Sequence, residues 1–277
     1  MGWRIGLAAM LVIWWSPVAT MAGSLTLEGT LTQGGLVIGK TDPGARVSID
    51  GSPVRVSPDG QFLIGFGRDA KPEARLRISH PGGGLTEKTL KVSKRQYKVQ
   101  RINGLPPGKV TPHPEDLIRI RGDNAKIGQV RRQDTDRADF SSGFRWPAAG
   151  PISGVYGSQR ILNGKPKNPH NGVDVAAPLG APVVAPADGR VVLAQKDMFY
   201  TGKTVMIDHG HGLTSVYAHM DKINVTQGQH ITKGAAIGTI GKTGRVTGPH
   251  LHWGVTLFGT HLDPALLAGG VEKMPSR

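Results

Sequence analysis

The chain has 277 residues, 38% of them hydrophobic but only 5% aromatic, so one large or two modest domains are affordable with cores built mainly from Val, Ile, Leu and Ala. Forty glycines and twenty prolines without a collagen-like period exclude a fibrous chain and indicate many turns between short strands. The net charge is +14, and the absence of cysteine excludes a disulfide framework, which leaves a metal as one candidate for any stabilising clip.

Residues 1–22 read as an export signal. Arg4 precedes the uncharged apolar stretch 6–15, and Thr20-Met21-Ala22 places small residues at the outer positions for cleavage after Ala22. Ser16-Pro17 interrupts the run, and residues 5–15 are too few to span a bilayer, which favours a cleaved signal over an anchor. The mature protein is therefore expected outside the cytoplasm, in the periplasm or cell envelope. There its basic charge suits anionic cell-wall polymers or a membrane surface, not nucleic acid. The excess is largest at the front: residues 23–110 carry 14 Lys/Arg against 7 Asp/Glu, and residues 151–277 carry 12 against 7.

Residues 23–101 read as a small all-β domain. Leu25-Thr26-Leu27, Leu36-Val37-Ile38, Arg46-Val47-Ser48-Ile49, and the segments 62–66, 75–79 and 89–92 are β-prone runs. Asp50-Gly51 is a hairpin signal, and Pro58-Asp59-Gly60 is a second turn. Repeated short strands of this kind predict an immunoglobulin-like sandwich. His80, beside Pro81 and a run of glycines, is expected to be a solvated loop residue. Residues 102–143 form a connector. It opens with Gly104, Pro106, Pro107, Gly108 and Pro112. Pro114-Glu115-Asp116 then starts a helix expected to run to about Arg132, weakened by Gly122 and Gly128. Its apolar positions need a partner, so the connector and the front domain are expected to pack on the second domain and position or limit access to its cleft.

Residues 144–277 form that second domain, again strand-like throughout. Val183-Val184-Ala185, Gly189-Arg190-Val191-Val192-Leu193, Thr204-Val205-Met206-Ile207, Ser215-Val216-Tyr217-Ala218 and Ala235-Ala236-Ile237-Gly238 are separated by turns. Three segments carry chemistry: His170-Asn171-Gly172-Val173-Asp174, Tyr217-Ala218-His219, and His250-Leu251-His252. A catalytic zinc takes about three nitrogen or oxygen donors and keeps a position open for water. His170 and Asp174 would lie ~13 Å apart in a flat strand, so sharing a metal requires a bend, which Gly172 permits. His250 and His252 fall on one strand face ~6.6 Å apart, a spacing that suits one ligand and one neighbouring acid–base group. His209 and His211 read as turn or hydrogen-bonding residues, and His230 and His261 as surface residues.

Taken with their surroundings, 171–178, 180–183, 187–189, 207–212 and 241–250, these segments resemble the M23 peptidases, the lysostaphin and LytM-type cell-wall endopeptidases. The likeness spans about residues 147–265. It implies a folded β-sheet catalytic domain and one Zn2+ held by His170, Asp174 and His252. It implies His219 and His250 beside the metal and the substrate, with either as the general base. The substrate implied is a peptide stem or cross-link of peptidoglycan. Arg160, in the loop leading to the first ligand, is a candidate for binding a stem carboxylate, and Tyr217 is a second candidate substrate contact. The alternative reading is a non-catalytic module that binds peptidoglycan and activates a cell-wall amidase, a protein partner. The intact ligand set and the two further histidines favour the enzyme.

Overall fold

The computed structural model describes residues 23–270, so the segment 1–22, expected to be an export signal, lies outside the described residues. The front domain comprises β1 (Leu25–Gly29), β2 (Leu36–Thr41), β3 (Arg46–Ile49), β4 (Ser52–Val54), β5 (Gln61–Gly65), β6 (Glu73–Ser79) and β7 (Leu85–Lys91). They form two antiparallel sheets ordered β1-β2-β5 and β4-β3-β6-β7. Alternation decides which residues face inward: in β6, Ala74, Leu76 and Ile78 are buried while their neighbours face solvent. They meet Val37, Phe62 and Ile64 from the other sheet in one core. Asp50 (φ 49°) and Gly51 (φ 81°) make the tight turn between β3 and β4, as the Asp-Gly pair predicts. His80 departs from expectation. It is buried, with Nδ1 2.9 Å from Asp42 and Nε2 2.9 Å from Thr86, and its ring packs against Gly23.

The expected boundary at 101/102 falls inside a strand, and both this strand and the connector pack with the second domain. β8 (Val99–Ile102) runs parallel to β10 (Gln159–Leu162), which pairs with β11 (Lys165–Pro166), in a small separate sheet. α1 (Pro107–Val110) follows, and its Val110 joins Ile102, Leu105 and Leu162 in a small apolar cluster. α2 (Asp116–Arg131) matches the expected helix. Val130, with the partly buried Ile127, packs on Leu193, Met198, Met206 and Val216 of the second domain, whereas Ile118 is 73% exposed. One side of the helix, not a broad stripe, supplies its anchor.

The second domain continues with β9 (Ile152–Gly154), β12 (Val173–Ala176), β13 (Pro182–Val184), β14 (Gly189–Met198), β15 (Gly202–Asp208), β16 (Leu213–Ile223), β17 (His230–Ile231), β18 (Ala236–Ile240), β19 (His250–Leu257) and β20 (Thr260–Leu262). One large antiparallel sheet runs β17-β14-β15-β16-β19-β12-β9, with β18 on β16, β13 on β18, and β20 on β19. Leu36 and Leu63 of the front domain join the same core as Leu257 and Leu262 of the second. Arg95 also ion-pairs with the buried Asp263 at 2.8 Å, so the two halves are packed rather than loosely tethered.

Candidate metal centre

β19 places both its histidines on one face. Leu251 and Trp253 are fully buried beneath the strand, and His250 and His252 project from the opposite side. On the neighbouring β12, Asp174 lies directly across from His252, and Ala176 across from His250. His170 lies before β12, in the stretch that turns at Gly172. A Cβ at Gly172 would sit 2.3 Å from the Trp253 carbonyl oxygen and 2.9 Å from His252, so only glycine lets the chain pass this close. Gly154 of β9 has the same role on the other side, with its missing Cβ 2.3 Å from Asp174 Oδ2.

The bend brings three donors together. His170 Nε2 is 3.0 Å from both His252 Nδ1 and Asp174 Oδ1, and His252 Nδ1 is 2.8 Å from Asp174 Oδ1. His170 Nδ1 lies 3.2 Å from the Val155 carbonyl. Donating its proton there leaves Nε2 as a bare lone pair facing the other two donors. A tetrahedral zinc with bonds of 2.0–2.1 Å spaces its ligands about 3.3 Å apart, so these three atoms fit a metal after small outward shifts. The electrostatics agree. Burial brings the His170 pKa down to about 4, keeping the imidazole neutral and available as a ligand. Burial alone would raise Asp174, but the charges and hydrogen bonds of His170 and His252 outweigh it and hold the carboxylate ionised, well below the usual range.

His219 reaches this face by a break in the strand. Its neighbour Ala218 lies across from His252, so simple alternation would send His219 to the opposite face with Tyr217. His219 instead adopts φ 65°, at an irregularity in the β15–β16 register, and its ring lies 4.8 Å from His250 and 6.3 Å from His252. Burial first, then the neighbouring His250 and His252, brings its pKa to about 3. Its Nδ1 lies 2.8 Å from the Thr243 carbonyl, and His250 Nδ1 lies 2.9 Å from the Gly248 carbonyl. Each carbonyl takes the Nδ1 proton, and in the neutral His219 this leaves Nε2 unprotonated.

Several sequence expectations change here. Tyr217 is fully buried on the core face, so it does not contact a substrate. Its hydroxyl is 2.7 Å from Ser215 Oγ, which is 2.8 Å from His209 Nε2, and His209 Nδ1 donates to the Asp188 carbonyl at 2.6 Å. His209 is thus a core hydrogen-bonding residue, as the turn reading anticipated. His211 is buried at φ 49° with neither ring nitrogen partnered. His230 is exposed as expected, but His261 is mostly covered, and burial followed by Arg131 and His252 brings its pKa to about 3. Arg160 lies at the centre but turns inward, donating to Asp174 Oδ2 at 2.6 Å. One nitrogen of its guanidinium is thus engaged by Asp174. Gly154, and the carbonyls of Val155, Thr243 and Gly248, had no signal in residue type, because their contribution is backbone position.

Two imidazoles and a carboxylate converging on one point, flanked by two further imidazoles on a folded β-sheet, are the donor set of a metal-dependent hydrolase. Residues 168–264 match the model of Peptidase family M23. The chain also superposes on a crystal structure assigned to peptidase M23 from Pseudomonas aeruginosa, at 31% identity over 87% of this chain and 95% of that one, with a TM-score of 0.66. The chain belongs to peptidase family M23. It is 36% identical over 145 residues to the peptidoglycan DD-endopeptidase ShyB of Vibrio cholerae, a match covering 52% of this chain and 31% of that protein. It is 46% identical over 91 residues to ShyA, the peptidoglycan DD-endopeptidase of the same organism, covering 33% and 21%. The chain therefore spans about a fifth to a third of the length of these curated relatives.

Proposed function

We propose that the protein is an exported zinc metalloendopeptidase that hydrolyses peptide stems or cross-links of peptidoglycan. The observation that carries the reading is the convergence of His170 Nε2, Asp174 Oδ1 and His252 Nδ1 beside the imidazoles of His219 and His250. Zinc held there supplies a Lewis acid that polarises a scissile carbonyl and acidifies water near neutral pH. Asp174 is the sole anionic ligand, so the site keeps a positive charge that favours developing negative charge on the substrate. His219 and His250 then divide the proton work. His219 is deeply buried and held neutral, and orients and hydrogen-bonds through Nε2. His250, half-buried at the start of β19, is the better reached from solvent and takes the role of general base.

A D,D-cross-link is the bond favoured by the names of the relatives ShyB and ShyA. The basic charge assists retention on anionic wall polymer or a membrane surface, and the front domain is the place for a protein regulator. A purely binding, amidase-activating module has no need of five convergent donor side chains with their tautomers set. Incubation of purified protein with sacculi, followed by mass spectrometry of the released muropeptides, tests the reading. Monomeric stems accumulating from cross-linked dimers, abolished by chelation and restored by zinc, are expected; unchanged dimers with zinc-loaded protein would refute it.

A further inference from the structure

The metal-facing geometry of Asp174 depends on a residue outside the family match. Arg160 lies eight residues before residue 168, where that match begins. Its Nη2 is 2.6 Å from Asp174 Oδ2, and the side chains are 19% and 8% exposed, so the pair is largely shielded from water. The other carboxylate oxygen, Oδ1, faces His170 and His252 at 3.0 and 2.8 Å. The two oxygens of one carboxylate are thus divided between a cation on one side and the metal donors on the other. A carboxylate free to rotate can turn both oxygens to a metal, whereas a charge-assisted hydrogen bond to one of them opposes that rotation.

The position of Arg160 is set from the front half of the chain. β10 carries it, and β10 is completed by β8, with Arg160 directly across from Gln100. Gln100 also donates to the Ser153 carbonyl at 3.0 Å, adjacent to Gly154, which lies opposite Asp174. Leu162, two residues beyond Arg160, is buried against Ile102, Leu105 and Val110 of the connector. We propose that Arg160, positioned by the β8–β10 pairing, is a positioning residue that clamps Oδ2 of Asp174 and leaves Oδ1 as the single oxygen offered to the metal. The connector thereby helps set the affinity of the metal site. The proposal rests on the zinc reading above.

The test uses the full chain with Arg160→Met, Arg160→Gln and Arg160→Lys, each checked for folding by circular dichroism. Zinc affinity is measured by chelator competition, and coordination by the visible absorption of the cobalt-substituted protein. Loss of an outer-shell partner typically weakens metal binding ~10–100-fold, and that loss is expected for Met and Gln, with partial recovery in Lys, which keeps the charge. The cobalt bands should also weaken in Met and Gln as a second carboxylate oxygen enters and coordination number rises, a change that a merely structural role would not produce. Zinc affinity within about twofold of the parent and unchanged cobalt bands, in whichever of the Met and Gln variants folds, overturn the clamp. Absence of stoichiometric zinc in the unmutated protein overturns the metal reading and the clamp with it.

Discussion

Gly154→Ala adds one methyl group at a tight point of the centre. An ideal Cβ there lies 2.3 Å from Asp174 Oδ2, 2.9 Å from Asp174 Cγ and 3.0 Å from His170 Cε1. Restoring an ordinary separation requires about 1 Å of movement. A flexible carboxylate would yield, but this one is held by Arg160 on one oxygen and by His170 and His252 on the other. The backbone cannot yield easily either, because Gly154 lies across from Asp174 in the β9–β12 pairing. The ligand itself must therefore shift. Misplacement of a reacting group by about 1 Å can cost ~10²-fold in rate, and overpacking of this kind costs ~1–3 kcal/mol in stability. Expected outcomes are weakened zinc binding by chelator competition, a ~10²-fold lower turnover of a defined cross-linked muropeptide, and a lowered Tm. The control is Gly122→Ala in α2, where nothing lies within 4 Å of the added Cβ. There the same methyl group should stabilise by ~0.5–1 kcal/mol through helix propensity, with activity unchanged. Parental zinc affinity and turnover in Gly154→Ala would refute the account of the centre as rigidly held.

His219→Ala and His250→Ala should each retain about one zinc per chain by elemental analysis while losing ~10²–10⁴-fold in turnover, since the proposed ligand set of His170, Asp174 and His252 includes neither and their rings lie together beside it; near-parental turnover in both would sink the assignment. The zinc-free protein should lose stability as pH falls below about 6.5. Burial depresses the folded-state pKa of His209 and, to about 3, that of His261. Above 6.5 both are neutral folded and unfolded, and below it only the unfolded chain takes up their protons. Stability therefore falls by up to about 1.4 kcal/mol per pH unit per histidine, until the folded groups titrate in turn. Urea midpoints that match at pH 7.5 and pH 5 would contradict this.

What was legible from spacing follows local geometry, while the ligand set itself came from the resemblance to family M23. His250 and His252 share a strand face whatever lies around them, and His170 and Asp174 can meet only if the chain bends near Gly172. The front strands and the Asp50-Gly51 hairpin were legible for the same reason, since alternation and turn chemistry act over a few residues. The resemblance, which made Tyr217 a candidate substrate contact, misplaced it. Beside His219 in sequence, it points to the opposite face, because His219 at φ 65° breaks the alternation that Tyr217 keeps.

What the amino-acid order indicated by itself was a strand-rich chain with a β-rich front segment, a connecting helix and a histidine–aspartate donor set. What the tertiary structure decided was where long-range neighbours fall. β8 left the front sandwich to pair with β10, which turned Arg160 from a candidate substrate contact into a partner of Asp174. Backbone carbonyls of Val155, Thr243 and Gly248 set the histidine tautomers, and Gly154 became essential through the atoms across from it. A residue's type and its near neighbours limit the conformations it can take. Its partners across a sheet are chosen by burial and register over the whole chain, and so the roles of Arg160 and Gly154 emerged only in the folded molecule.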